Sequence, residues 1–356
     1  MPSTNVSSSN AGPLPEFGTG FERVGSIRVP ELRSVPMTRR LQRLIDHPAF
    51  QRLRSVRQLG PTHLVYPGAV HTRFEHSLGV YSCVLMYAEA LLQHPVFADS
   101  VTSDDLACVL LAGLLHDIGH YPFAHSLEAL HLKGRDTPRH EHVGAMIIRG
   151  DIEPLRGEET IAEMIRQDWG VDPERVISLC TGDIGDDPDQ IDQLLRSIIS
   201  GTIDADKMDY LERDSHHMGV PYGRNYDRDR LLASLTLNED ETGVAINAKG
   251  KVSAEMFVFS RYTMFSEAYW HHTVRAASAM VESALAVFHS RSSIEPSDFL
   301  DVLLAHDDDS LLAWLREHSP NGGATTYLTN GLTNRNRRLY KRIVTFSRVY
   351  TEEPKQ

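Results

Sequence analysis

The sequence predicts a mainly α, single-domain protein with one small β-hairpin excursion. Two observations predict the helices. Apolar residues recur at helical spacing over most of the chain beyond its first twenty residues. Polar starts and Gly or Pro stops bracket the strongest of these runs, as helix ends require. A third observation sets the hairpin apart. The stretch 235–250, "LTLNEDETGVAINAKG", alternates in part and holds a Gly-containing turn. With 356 residues, 41% of them hydrophobic and 24% charged, the composition is that of an ordinary soluble globular protein.

The elements follow in chain order. Residues 1–20 are rich in Ser, Asn, Pro and Gly and read as a disordered tail, leaving 21–356 for the folded domain. This start lacks a charged region followed by an apolar one, so no secretory signal is expected. "TRRLQRLIDHPAFQRLRSVRQLG" is mostly helical, with Pro48 near the first turn of a second helix. "PTHLVYPGAVHTRF" holds too much Pro and Gly for a helix and reads as a loop. "EHSLGVYSCVLMYAEALLQ" carries its apolar residues on one helical stripe. "SDDLACVLLAGLLHDIG" begins at Ser103 with acidic residues and then runs apolar, a helix buried on all sides. Gly119 and Pro122 break it, and Pro122 can open a helix over "FAHSLEALHL". Helical windows also fit 158–168, 190–215, 253–290 and 297–318.

The net charge of -12 and the pI of about 5.8 argue against a broad basic face for duplex nucleic acid. They leave room for a small basic pocket that takes a phosphate ligand. No apolar run reaches the length of a membrane span. Cys83, Cys108 and Cys180 are odd in number and widely spaced, so they read as thiols in a reducing compartment, by default the cytoplasm.

Chemistry concentrates in one region. Ten of the 18 histidines lie between positions 63 and 142. His116 and Asp117 adjoin at the end of the buried apolar helix, where an ionised carboxylate costs several kcal/mol unless it is paired or metal-bound. A divalent cation resolves that cost, because it takes imidazole nitrogen and carboxylate oxygen together. Neighbours on a helix point about 100° apart and can clasp an ion from two sides, but they cannot fill its shell. His71 and His76 upstream, and Asp204, Asp206, Asp209 and Asp214 downstream, are the candidates to complete it. Asp206, Tyr210 and Asp214 are spaced four apart and form one stripe, suited to a pocket wall.

These residues carry a family resemblance. His76, the pair His116–Asp117 and the distant Asp206 follow the H…HD…D pattern of HD-domain metal-dependent phosphohydrolases. Three longer blocks sharpen it: "FQRLRSVRQLGPTHLVYPGAVHTRFEHSLGVYS", "LLHDIGHYPFAHSLE" and "DADKMDYLERDSHHMGV". In this order they resemble the sterile-alpha-motif/HD dNTP triphosphohydrolases and their bacterial relatives, over roughly residues 38 to 345 with gaps. The resemblance implies an HD-domain helical fold with the site in its core.

It also implies roles. His76, His116, Asp117 and Asp206 match the metal ligands, a set that suits Mn, Fe, Ni, Zn or, less well, Mg. His125 with Glu128, and His140 with Glu141, match catalytic pairs, His125 being the general acid. Glu128 stands where the family's dNTPases can carry Asp. Arg73, His120 and Lys207 match contacts to the phosphate chain. Gln58 and Leu59 match positions on the 3′ side of the sugar, and Tyr210 and Asp214 positions near the sugar itself. In "SRYTMFSEAYWHH", Arg261 matches a triphosphate contact and Tyr269 a tyrosine near the base. Trp270 departs from the Gln of the family's best-known form, which leaves base preference open. Arg337 and Lys341 in "NRRLYKRI", with Asp46, Gln51 and Arg54, match residues that hold an activating nucleotide between subunits.

The activity so implied is hydrolysis of deoxynucleoside triphosphates to deoxynucleoside and inorganic triphosphate. The expected partners are a nucleotide substrate, a nucleotide activator and further copies of the chain, as a dimer or tetramer. Two alternatives stand beside it. One is a phosphohydrolase for monophosphates or short oligonucleotides, and the other a nucleotide-responsive regulator without turnover.

Overall fold

The structure is a computed structural model that describes residues 14–18, 23–30, 34–123, 125–128, 131–132, 135–136, 138–185, 188–292, 294, 296–333 and 337–343. It is mainly α. The helices of eight or more residues are α1 (Arg39–Asp46), α2 (Arg73–Leu91), α3 (Ser103–Leu115), α4 (His140–Arg149), α5 (Pro173–Thr181) and α6 (Gln190–Ile199). They continue as α7 (Ala205–Met218), α8 (Lys251–Thr263), α9 (His272–Arg291), α10 (Pro296–Ala305), α11 (Asp308–Glu317) and α12 (Ala324–Gly331). None of the described helices is long and apolar enough to cross a membrane.

The core sits around α2 and α3. α2 packs against α3 on one side and α7 on another, while α5 and α6 cover α3. α3 is buried from Asp105 to Leu115, as its continuous apolar run requires. It starts at Ser103, as expected. Thr102 caps it, accepting from Asp105 N while the Asp105 carboxylate takes the Thr102 N–H at 2.7 Å. The α2–α7 approach depends on Gly79, where a Cβ would fall 1.9 Å from an Asp209 oxygen and 2.2 Å from the Arg213 guanidinium. Overpacking of this kind costs about 1–3 kcal/mol or more.

Three antiparallel pairs are present among the described residues: β1 (Arg23–Ile27) with β2 (Val35–Thr38), β3 (His131–Leu132) with β4 (Arg135–Asp136), and β5 (Leu235–Leu237) with β6 (Val244–Ile246). The last is the expected hairpin, in register Leu235↔Ile246, and Asn238 closes its turn by accepting from Thr242 N and Gly243 N.

The differences from expectation are local. The window 123–132 gives a single helical turn, His125–Glu128, and then β3. There, pairing with Arg135–Asp136 takes the backbone that a longer helix would have used. The window 190–215 breaks between α6 and α7, because Asp204 caps α7 through Lys207 N at 2.7 Å. The window 253–290 breaks at Trp270–His271 after a π-helical segment, Met264–Tyr269. The window 297–318 breaks at His306–Asp307, where Asp307 and Ser310 form a capping box. Of the expected tail, 1–13 and 19–20 lie outside the described residues, whereas 14–18 pack onto the body. Leu14 is buried, and the buried Glu16 carboxylate accepts from Thr38 Oγ1 at 2.9 Å and from Arg40 Nε at 2.9 Å and Nη2 at 2.5 Å.

Candidate metal centre and substrate cavity

α2, the end of α3 and the start of α7 deliver four side chains to one point. His76 Nε2 lies 3.4 Å from Asp117 Oδ2 and 3.2 Å from Asp206 Oδ1. His116 Nε2 lies 3.4 Å from Asp117 Oδ1 and 3.7 Å from the same Asp206 oxygen. His116 reaches this point because α3 ends at Leu115 and leaves it as the C-cap.

The opposite ring nitrogens are fixed. His76 Nδ1 donates to Asp209 Oδ2 at 2.8 Å, and His116 Nδ1 donates to the Gly113 carbonyl at 2.9 Å. With the protons held there, both Nε2 lone pairs face the shared point, as in a metal-binding imidazole whose far nitrogen is hydrogen-bonded. His76, His116 and Asp117 are close enough to hold one metal ion, and Asp206 adds a carboxylate oxygen. The donor set therefore fits a divalent ion.

The charges agree with this. Burial works against the charge of Asp117, but Arg73, His116 and His120 outweigh it and hold its carboxyl well below the usual range. Arg73 Nη1 donates to Asp117 Oδ2 at 2.5 Å. Burial also opposes charge on His76, yet Asp206, Asp209 and Asp117 draw its pKa up to about 10, so without a cation Nε2 carries a proton that a bound ion would displace. Such concentrated negative charge draws a cation to the point that the carboxylates surround.

A second cluster adjoins the first. The His120 and His140 rings stack with centroids 3.7 Å apart, and their Nε2 atoms lie 3.2 and 3.8 Å from Asp117 Oδ1. The stack is possible because the chain passes α4 at Gly119, where a Cβ would fall 2.0 Å from the His140 carbonyl oxygen. His140 Nδ1 and backbone N donate to Glu128 Oε1 at 2.5 and 3.1 Å, and Glu141 Oε2 lies 3.4 Å from the same ring. Both expected catalytic pairs therefore meet through Glu128 and His140. The side chain of His125 lies outside the described residues.

A cavity of about 510 Å³ opens over these groups. Its wall includes Gln58, Leu59, Arg73, Tyr210, Asp214 and Tyr269. The Tyr269 hydroxyl donates to Asp214 Oδ2 at 2.6 Å, while His71 Nε2 holds Asp214 Oδ1 at 2.7 Å. Burial and the Asp214 charge push the Tyr269 hydroxyl well above its usual pKa, so it stays protonated. The Arg261 guanidinium lies 5.2 Å from the Phe265 ring centroid.

Two expected phosphate contacts are placed differently. His120 is fully buried beneath His140, and burial, Arg73 and His140 hold it well below its usual pKa, a neutral ring that orients Asp117. Lys207 Nζ turns onto Asp204 at 2.6 Å.

The expected activator residues occupy two places. Asp46 is exposed at the end of α1, Gln51 bonds the Ile45 carbonyl at 2.7 Å, and the Arg54 guanidinium covers Phe74 at 3.6 Å. Arg337 and Lys341 line a second cavity of about 650 Å³ with His272, Arg338 and Arg342. Sequence reasoning offered Asp209 and His71 only as candidate metal ligands and gave Phe265 no role. The first had a usable signal, since Asp209 and Arg213 are four apart on one helix face.

Comparisons with known proteins agree with this architecture. The HD domain model matches residues 73–214, and the HD associated region model matches 226–354. An uncharacterized protein of Methanocaldococcus jannaschii is 33% identical over 85% of this chain and 56% of its own. The deoxynucleoside triphosphate triphosphohydrolase SAMHD1 of Gallus gallus is 32% identical over 68% of this chain and 42% of its own. The chain thus spans about half the length of the curated relatives it matches. A crystal structure of a hypothetical protein from Aquifex aeolicus is 33% identical, with a TM-score of 0.69 over 88% of this chain and 76% of that one. The chain belongs to the HD-domain family, with an HD domain followed by an HD-associated region.

Proposed function

We propose that the protein is a metal-dependent phosphohydrolase that cleaves deoxynucleoside triphosphates to deoxynucleoside and inorganic triphosphate. One observation carries this reading: four side chains from distant parts of the chain converge at one edge of a cavity walled by tyrosines and an arginine. Relatives described as deoxynucleoside triphosphate triphosphohydrolases support the substrate class.

His76, His116, Asp117 and Asp206 would hold a divalent ion of the Mn, Fe, Ni, Zn or Mg kind. When bound, such an ion polarises a phosphoryl oxygen and acidifies a water. The protein's own groups do the rest. Arg73 faces the cavity beside Asp117 and supplies positive charge to the phosphate chain. Glu128 orients His140 through Nδ1, leaving Nε2 toward the reacting phosphate. His125 opens the helical turn that ends in Glu128 and is the proposed acid for the leaving 5′ oxygen. Tyr210, Tyr269 and Asp214 form the nucleoside end. Tyr210 packed on the sugar excludes a 2′-hydroxyl. Trp270 lines the cavity and is 64% exposed, so its indole is available to stack on a base of any identity.

The basic cavity around Arg337 and Lys341 is the proposed activator site, in an assembly of several copies of the chain. A panel of deoxynucleoside and ribonucleoside tri- and monophosphates, run with several divalent ions and with or without GTP, tests the whole reading. Triphosphate and deoxynucleoside as products support it. Pyrophosphate, or turnover of monophosphates alone, refutes it.

A further inference from the structure

Two segments that wall the substrate cavity are tied together by one distant carboxylate. Asp308 opens α11, yet its side chain is only 1% exposed. Its Oδ2 accepts the Arg57 backbone N–H at 3.0 Å, and its Oδ1 accepts the Phe123 backbone N–H at 3.2 Å. Arg57 precedes Gln58 and Leu59, which line the cavity, and Phe123 lines it as well. An acidic residue in a first helical turn ordinarily meets solvent and its own helix dipole. Here Asp307 and Ser310 already cap the helix, and Asp308 spends both oxygens on other segments.

The Phe123 turn requires such a restraint. Its φ of 63° lies in the left-handed region, which is disfavoured for an aromatic residue and persists only where the surroundings fix it. The opposing segment lies close: a Cβ on Gly60 would stand 3.3 Å from Phe123 Cα. Asp309 reinforces the Arg57 side from the surface, holding its guanidinium at 2.6 and 3.3 Å.

We propose that Asp308 is a positioning residue for the cavity. Through Arg57 N–H and Phe123 N–H it fixes the spacing between the Gln58–Leu59 wall and the Phe123 wall, and so sets how firmly the nucleoside end of the substrate is held. It does this without touching substrate or metal. The inference rests on reading this cavity as the substrate site.

The test compares Asp308→Ala and Asp308→Asn with Asp309→Ala in the full-length protein. The asparagine variant keeps one acceptor but sets an amide NH₂ against the other backbone N–H. The alanine variant is expected to raise KM about tenfold, the effect of losing buried hydrogen bonds. Its kcat changes less than about threefold, because no transition-state contact is lost. The asparagine variant falls between, Asp309→Ala stays near wild type, and metal content is unchanged in all three. Hydrogen exchange is read on the peptides that contain Arg57 and Phe123, where both Asp308 variants are expected to lose protection. Wild-type KM at full metal loading, or undiminished protection at both amides, overturns the proposal. A lowered melting temperature with unmoved KM marks a merely structural role and overturns it too. Should Asp308→Ala fail to fold, the asparagine variant decides. Should the wild-type protein hydrolyse no nucleotide, the reading of the cavity fails while exchange still tests the clamp.

Discussion

His76 and Asp209 share a 2.8 Å hydrogen bond in which the ring Nδ1 donates to a buried carboxylate. The bond fixes the tautomer and turns Nε2 toward Asp206 and Asp117. Asp209 is itself held by Arg213 through Nε at 2.8 Å and Nη2 at 2.5 Å. Asp209→Asn keeps the shape and removes the charge that raises the basicity of the ring. Cation affinity is expected to fall about 10–100-fold, as for other partners of ligating histidines. Competition against a chromophoric chelator measures it, and wild-type affinity in this variant counts against the assignment.

What was legible in the sequence follows from how each signal is carried. His116 and Asp117 could be read because a buried carboxylate at the end of an apolar helix demands partners, whereas His76 and Asp206 stood out from the other candidates only through the family resemblance. Asp209 hid among the same acids, since only the fold shows which oxygens turn inward. The helix α3 could be read from its long apolar run and α2 from its helical spacing of apolar residues, whereas the breaks after α6 and after α8 were not read. What ends the helices is local, a cap at Asp204 and a π-helical segment before Trp270. Asp308 gave no signal at all, because its partners stand 251 and 185 residues away in sequence.

The four-residue centre predicts that metal and turnover are lost together. His116→Ala or Asp206→Ala removes a donor that no neighbour replaces. Metal analysis of the purified variants should show depletion, and activity should fall to background. In the wild-type protein, chelation abolishes activity and re-addition of a divalent ion restores it. Full activity in a metal-free variant refutes the centre.

Glu128 predicts a separate effect on chemistry. Glu128→Gln replaces a charged acceptor of the His140 Nδ1 proton with a neutral amide. Metal content is expected to hold while kcat falls about 10²-fold, within the range for disturbed general acid–base groups. His125→Ala is expected to cost about 10²–10⁴-fold in the same way. A rise in KM at constant kcat in either variant removes that residue from proton transfer.

The Glu75–Arg213 pair predicts acid lability. Arg213 is 1% exposed and donates to Glu75 at 2.6 Å, and His217 lies 3.0 Å from the same oxygen. Burial raises the Glu75 pKa, but His217 and Arg213 outweigh it, so the folded value lies below the ordinary one. A depressed carboxyl stabilises the fold above its unfolded pKa of about 4.3, and that stability is lost as pH falls through the folded value. The contribution of this pair to the melting temperature should therefore be lost as pH falls below about 4.3. Glu75→Gln should lower that temperature at pH 7 and flatten the acid limb, and an unchanged acid limb would separate this pair from the transition.

Tyr269 predicts how the nucleoside is recognised. Its hydroxyl donates to Asp214 Oδ2 at 2.6 Å, and the other Asp214 oxygen is taken by His71. Tyr269→Phe leaves one oxygen of a buried carboxylate without its donor, a cost of about 1–3 kcal/mol that substrate binding must then meet. KM for deoxynucleotides is expected to rise about 5–150-fold, with metal content unchanged. Because Trp270 offers a stacking face and no amide, the rise should be similar for all four bases. Trp270→Gln should instead spread the four KM values apart. A base-selective loss in Tyr269→Phe would place the tyrosine against the base edge and away from the sugar.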